Sequence, residues 1–195
     1  MLVGQTKKIL NSNAIQERGE RIDANQEFVR SFNASNCLTK DTKLVIVGTI
    51  TPPKGNGYFY TAPRNRIYGY IDAHFGNTEL KDLKSKLSNV NFNSVNVVDD
   101  IKKTLIQRKI AFLDVFEYVI RKTGSSSDSD IDYVSLDCDS FAQIPAGAGV
   151  ICNSRLAEWC YNMIKGQNSY LPTGEYCSQR FAKKVDWINT IKKYI

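Results

Sequence analysis

Histidine is almost missing from this chain: His74 is the only one in 195 residues. A metal site built on several imidazoles, or a Ser–His triad, is hard to assemble from one ring, and a lone histidine reads first as hydrogen-bonded structure. The five cysteines, Cys37, Cys138, Cys152, Cys160 and Cys177, are odd in number and match no zinc or iron–sulfur spacing. Scattered thiols of this kind suggest small buried hydrophobes in a reducing, cytoplasmic setting. No apolar run approaches the roughly 18 residues of a membrane span. The first twenty residues lack the apolar stretch and small-residue cleavage site of a secretory leader. Phosphate-cradling G-x-x-x-x-G-K-[ST] and G-x-G-x-x-G are absent, as are H-E-x-x-H and G-x-S-x-G. We therefore expect no metal, no cofactor and no membrane partner.

What is present is an ordinary globular balance, 42% hydrophobic and 24% charged, in a length suited to one domain with a real core. The 26 Lys and Arg exceed the 20 Asp and Glu, for a net charge of +6. That excess permits attraction to a polyanion and does not by itself establish it. It is uneven. Between Thr51 and Tyr70 lie Lys54, Arg64 and Arg66 and no acid, whereas Asp128 to Asp139 holds five aspartates and no base. The second stretch should face away from any phosphate backbone.

Leu44-Val45-Ile46-Val47 is a β-branched apolar run ending at Gly48-Thr49, followed by Pro52-Pro53 and a glycine-bearing loop. It predicts a strand over 44–49 buried on both faces, and the Pro pair forbids its continuation. In an open α/β sheet, the carboxyl end of such a strand opens into the ligand crevice. Further strands are predicted at 110–115, at 148–152 and, very short, at Ser169-Tyr170-Leu171 before Pro172. Helical periodicity appears around Leu80, Leu83 and Leu87, and around Ile101, Leu105 and Ile106. It recurs in the face Leu156, Trp159, Cys160, Met163, Ile164 and in the face Phe181, Val185, Ile188, Ile191, Ile195. Residues 14–32 offer an imperfect helical stripe, so 1–40 is read as an N-terminal helical extension and 41–195 as the α/β domain. Strand, loop and helix in repetition argue for a small parallel sheet covered by helices on both faces.

Two carboxylates attract notice. Asp114, inside an apolar run, either fixes a loop by accepting backbone N–H bonds or acts in a pocket. Glu175, in a loop after Pro172, is either solvated or polarises a water.

Four blocks, taken in order, resemble the uracil-DNA glycosylase superfamily, nearest to its hypoxanthine and mismatch-type branch. They are Val47-Gly48-Thr49-Ile50-Thr51-Pro52 with Tyr58-Phe59-Tyr60-Thr61-Ala62-Pro63-Arg64-Asn65-Arg66-Ile67-Tyr68; Phe112-Leu113-Asp114-Val115 with Arg121 to Ser125; Val150-Ile151-Cys152-Asn153-Ser154; and Leu171-Pro172-Thr173-Gly174-Glu175. The resemblance implies a three-layer α/β/α sandwich with a short, mainly parallel four-stranded sheet. It implies a hydrolase of base excision repair that flips an altered or mismatched base out of DNA and cleaves its N-glycosidic bond without a metal. By the same resemblance Asn65 and Thr51 are candidate catalytic residues; Glu175, a departure from the family's last block, is a third candidate as a recruited water-activating carboxylate. Asn65 would either orient water through its carbonyl or hold the base through its NH₂. Asn153, Tyr58, Tyr60, Gly48 and Thr49 are the candidate substrate-binding residues. Arg64, Arg66, Lys54 and Thr173 are the candidates for contact with DNA. The alternative is a catalytically silent relative that keeps the pocket to bind a nucleotide or nucleic acid.

Overall fold

The computed structural model describes residues 8–9, 27–50, 57–87, 94–123 and 128–195. Its centre is a four-stranded sheet in the order β4-β3-β7-β8, made of β3 (Leu44–Gly48), β4 (Ile110–Asp114), β7 (Gly149–Cys152) and β8 (Gly174–Tyr176). All three pairings are parallel. β3, β4 and β7 are buried along their whole length, as continuous apolar runs in a sheet covered on both faces must be.

Alternation along β3 feeds two cores. Leu44 and Ile46 point into one, Val45 and Val47 into the other. The first core takes side chains from α1 (Ile67–Phe75), α2 (Glu79–Leu87), α3 (Ser94–Gln107) and α6 (Lys184–Ile191). The second is roofed by α4 (Cys138–Phe141) and α5 (Arg155–Gln167). The expected three-layer α/β/α arrangement is therefore what forms.

Four local expectations shift. The fourth strand forms at Gly174–Tyr176, beyond Pro172, while Ser169 and Tyr170 lie in a turn. On α5 the buried stripe is Ala157, Cys160, Tyr161 and Ile164, and Trp159 is 57% exposed. Tyr161 can go inside because its hydroxyl donates to the Pro172 carbonyl at 2.7 Å. On α6 the buried pair is Trp187 and Ile191, with Trp187 stacked on Tyr70 at 5.7 Å. Phe181 precedes the helix, and both it and Val185 face solvent. Of the helices expected within 14–32, residues 10–26 lie outside the described residues, and Glu27–Arg30 is a strand, β2.

A second sheet was not expected. Its order is β1-β6-β5-β2, with β1 (Lys8–Ile9), β5 (Phe116–Arg121) and β6 (Ile131–Leu136). The chain passes from β4 into β5 with only Val115 between them. Val115 and Phe116 still donate to the Gly48 and Thr49 carbonyls, at 2.9 and 3.2 Å. The two sheets thus diverge just beyond the carboxyl ends of β3 and β4, and Asp114 sits at the fork.

Candidate functional site

At that fork is a cavity of about 810 Å³, within the range of small-molecule sites. Gly48, at the end of β3, forms its floor. A Cβ there would lie 2.6 Å from the Tyr60 hydroxyl and 2.7 Å from Asp114 Oδ1, so the absence of a side chain lets a phenol and a carboxylate approach the same backbone atom. Tyr60 reaches this point from a left-handed backbone conformation, φ +55°. Its ring stands edge-on to Phe112 at 4.9 Å. Burial first, and the nearby Asp114 carboxylate second, push its phenol well above the usual value, so it stays protonated and neutral.

Asp114 is 2% exposed and lines the cavity. Asn33 fixes its backbone from both sides. Asn33 Oδ1 accepts the Asp114 N–H at 2.8 Å, and Asn33 Nδ2 donates to the Asp114 carbonyl and to Asp137 Oδ2, each at 2.7 Å. Asn153 enters from the end of β7. Its N–H donates to the Val47 carbonyl at 2.9 Å, its carbonyl accepts from Gln179 N at 3.2 Å, and its Nδ2 donates to the Tyr60 hydroxyl at 3.1 Å.

Asn65 is held by three of its four polar groups. Its N–H donates to the Ala62 carbonyl. Its Oδ1 accepts the Ile67 N–H at 2.9 Å, opening α1. Its carbonyl accepts from the Lys84 ammonium at 2.5 Å, and that ammonium also reaches the Pro63 carbonyl at 3.1 Å. The side-chain NH₂ is the group left to meet a ligand.

Gly48, Thr49, Tyr60, Arg64, Asn65, Arg66 and Asn153, all expected at a site, line this one cavity. Three other candidates lie outside its lining. Tyr58 is fully buried in the core, its ring against Phe59 and beneath the Lys102 ammonium. Thr173 is exposed and outside the lining. Glu175 alternates with Tyr176 on β8, so when Tyr176 faces the cavity Glu175 faces away. Its carboxylate is occupied by the Lys193 ammonium and the Tyr194 hydroxyl. Thr51 and Lys54 lie outside the described residues.

The sequence reading missed part of the rim. Arg155 lies over the Tyr176 ring at 3.8 Å and pairs with Glu158. Arg180 lies over Phe181, which is 78% exposed. Arg155 was legible, two residues past Asn153 at a helix start; nothing in the sequence marked Arg180. With Arg64 and Arg66, four guanidinium groups line the cavity, and Asp114 is the one carboxylate among its described lining residues. Among the described residues no group of His, Cys, Asp or Glu is arranged to hold a metal ion, and no helix is long and apolar enough to cross a membrane.

No family model and no curated protein matches the chain. A solved structure does share its fold: the "Solution NMR Structure of a putative Uracil DNA glycosylase" from Methanosarcina acetivorans. That structure superposes with a TM-score of 0.61 at 19% identity, covering 86% of this chain and 99% of the other. At this identity the likeness establishes the α/β/α fold.

Proposed function

We propose that the protein is a DNA glycosylase-like hydrolase that cleaves the N-glycosidic bond of a deaminated or mismatched base. The observation that carries this reading is the convergence of Asp114, Asn65 and Asn153 on one cavity beneath a rim of arginines. The Methanosarcina protein, described as a "putative Uracil DNA glycosylase", supports the same reading.

The rim arginines hold phosphates of the strand. The target nucleotide turns out of the stack into the cavity. The exposed Phe181 ring, backed by Arg180, packs against the bases that remain. Asn153, its Nδ2 oriented by Tyr60, meets the edge of the base with its remaining N–H and its Oδ1. Asp114 accepts a proton from water as the water oxygen bonds to C1′ and stabilises the positive charge building on the sugar. The C1′–N bond breaks, its electron pair leaves with the base, and the Asn65 NH₂ donates to the negative oxygen that results.

The test is release of uracil, hypoxanthine or xanthine from duplexes, read by alkaline strand scission. The wild type should release at least one of them. Asp114→Asn should lower the rate roughly 10²- to 10⁴-fold with the fold retained by circular dichroism, and Asn65→Ala should also lower it. One observation favours a second reading, a pocket that binds without cleaving: Asn65 Oδ1, the atom that would orient a water, is already committed to the Ile67 N–H. Nucleotide binding with no base release from any duplex would establish that alternative.

A further inference from the structure

A second concavity, about 580 Å³, lies on the flank of α1 and α2. It meets the first cavity at Asn65 and Arg66, which line both. Arg66, Lys81, Lys84 and Lys184 all line it, and the one carboxylate among its described lining residues, Asp72, is spoken for. Asp72 accepts from the Arg108 guanidinium at 2.8 Å and from the Leu80 and Lys81 N–H groups.

Lys84 is the telling residue. It is only 8% exposed, its two acceptors are neutral carbonyls, and among the described residues no carboxylate pairs with it. A buried ammonium without a counter-charge is costly and is relieved by an anion brought to its side. Burial lowers its pKa, in keeping with that missing partner.

We infer that this groove holds the phosphodiester backbone of a nucleic acid strand, which passes from the first cavity over Asn65 and Arg66 and along the α1–α2 face. The inference rests on the reading of the first cavity as the receptor of a nucleotide within a strand. Arg66 sits at the shared edge, and the exposed Lys81 and Lys184 lie beyond it. Lys84 supplies fixed positive charge from the wall while it holds the Asn65 turn. The groove thus adds backbone contacts that carry no base information and set the register of the strand.

The test is fluorescence anisotropy of a short labelled oligothymidylate against salt, using the full chain. Lys81→Gln with Lys184→Gln removes two phosphate contacts. The log–log salt slope should become shallower by about 1.4, and affinity should fall roughly 25-fold at about 0.1 M salt. Both lysines are exposed, so folding is not at stake. Lys40→Gln with Lys122→Gln, an equal charge loss at exposed sites outside both concavities, should change little. Equal effects of the two pairs, no effect of the groove pair, or no strand binding by the wild type would each overturn the inference. Base release, assayed separately, distinguishes the two readings. Release without groove-dependent binding sinks the groove alone; groove-dependent binding without release sinks the hydrolase alone.

Discussion

Adding one methyl group at Gly48 tests the geometry of the whole site. A Cβ there would lie 2.6 Å from the Tyr60 hydroxyl, whereas ordinary contact begins near 3.4 Å, so the hydroxyl has to retreat by about 0.8 Å. It has little room, because the Tyr60 ring is lodged against Phe112. Its bond from Asn153 Nδ2 is already 3.1 Å long, and Asn153 cannot follow while Val47 and Gln179 hold its backbone. Asp114, whose Oδ1 lies 2.7 Å from the same point, has its backbone anchored in turn by Asn33. Overpacking of this kind costs about 1–3 kcal/mol, and a displacement near 1 Å at a reacting group costs about 10²-fold in rate. Gly48→Ala should therefore lower stability in urea by that amount and base release by more than the stability loss explains. Tyr60→Phe alone removes one hydrogen bond, worth about 1 kcal/mol. In the G48A background it also relieves half of the crowding, so its cost should vanish or change sign, with a coupling of about 1–2 kcal/mol. Additive effects of the two substitutions, or a Gly48→Ala protein as stable and active as the wild type, would refute this account of the floor.

Two further predictions concern stability. Asn33→Leu removes three buried hydrogen bonds, two of them to the Asp114 backbone, and should cost about 2–4 kcal/mol in chemical denaturation; a loss under about 0.5 kcal/mol would show that the segment before β3 does not brace the site. Stability should also fall at alkaline pH, because the buried Tyr60 and Tyr68 phenols are raised well above their usual value by burial and the Cys152 thiol is pushed up from 9.0 to about 12, again mainly by burial. The folded chain then keeps protons that the unfolded chain releases, so the Cys152 contribution is intact below pH 9 and is lost as pH climbs toward 12, by about 2 kcal/mol between roughly pH 9 and 11. Urea melts across that range should show the decline, and Cys152→Ala should flatten it; an unchanged slope would contradict the assignment.

The parts of the fold read correctly from the sequence were those with one dominant physical signal. Leu44–Val47 and Val150–Cys152 are continuous apolar runs, and only a strand covered on both faces accommodates them. The misread parts had competing signals. On α5, Trp159 fits the apolar period as well as Tyr161 does, and the choice is made by a tertiary bond, Tyr161 to the Pro172 carbonyl. The second sheet was hidden because its strands carry charge into buried places: Arg121 is buried at the end of β5, and Asp130 is buried beside the start of β6. Asp130 accepts from the Thr123 hydroxyl and N–H, a partnership that no periodicity announces. Within the site, the block order brought out Asn65, Asn153, Arg64 and Arg66. Glu175 was set aside by alternation along β8, a three-residue strand whose register cannot be read locally.

The site and the second sheet are one construction. A carboxylate at the end of an apolar strand is expensive to bury unless its surroundings are polar and fixed. β4 meets that demand by ending at the fork, where Val115 turns the chain out of one sheet and into the other. The cavity opens where β3, β4 and β7 end, lined there by Gly48, Asp114 and Asn153, and the Asp114 N–H and carbonyl turn to a residue outside the parallel sheet. Asn33 takes up both of them, and it can do so because β2 is paired to β5 and sets Asn33 down beside the fork. The segment before β3 is thus part of what aims Asp114. Cutting the chain ahead of Leu44 should abolish base release even if the parallel sheet still forms, and recovery of full activity by such a fragment would break the link between the second sheet and the site.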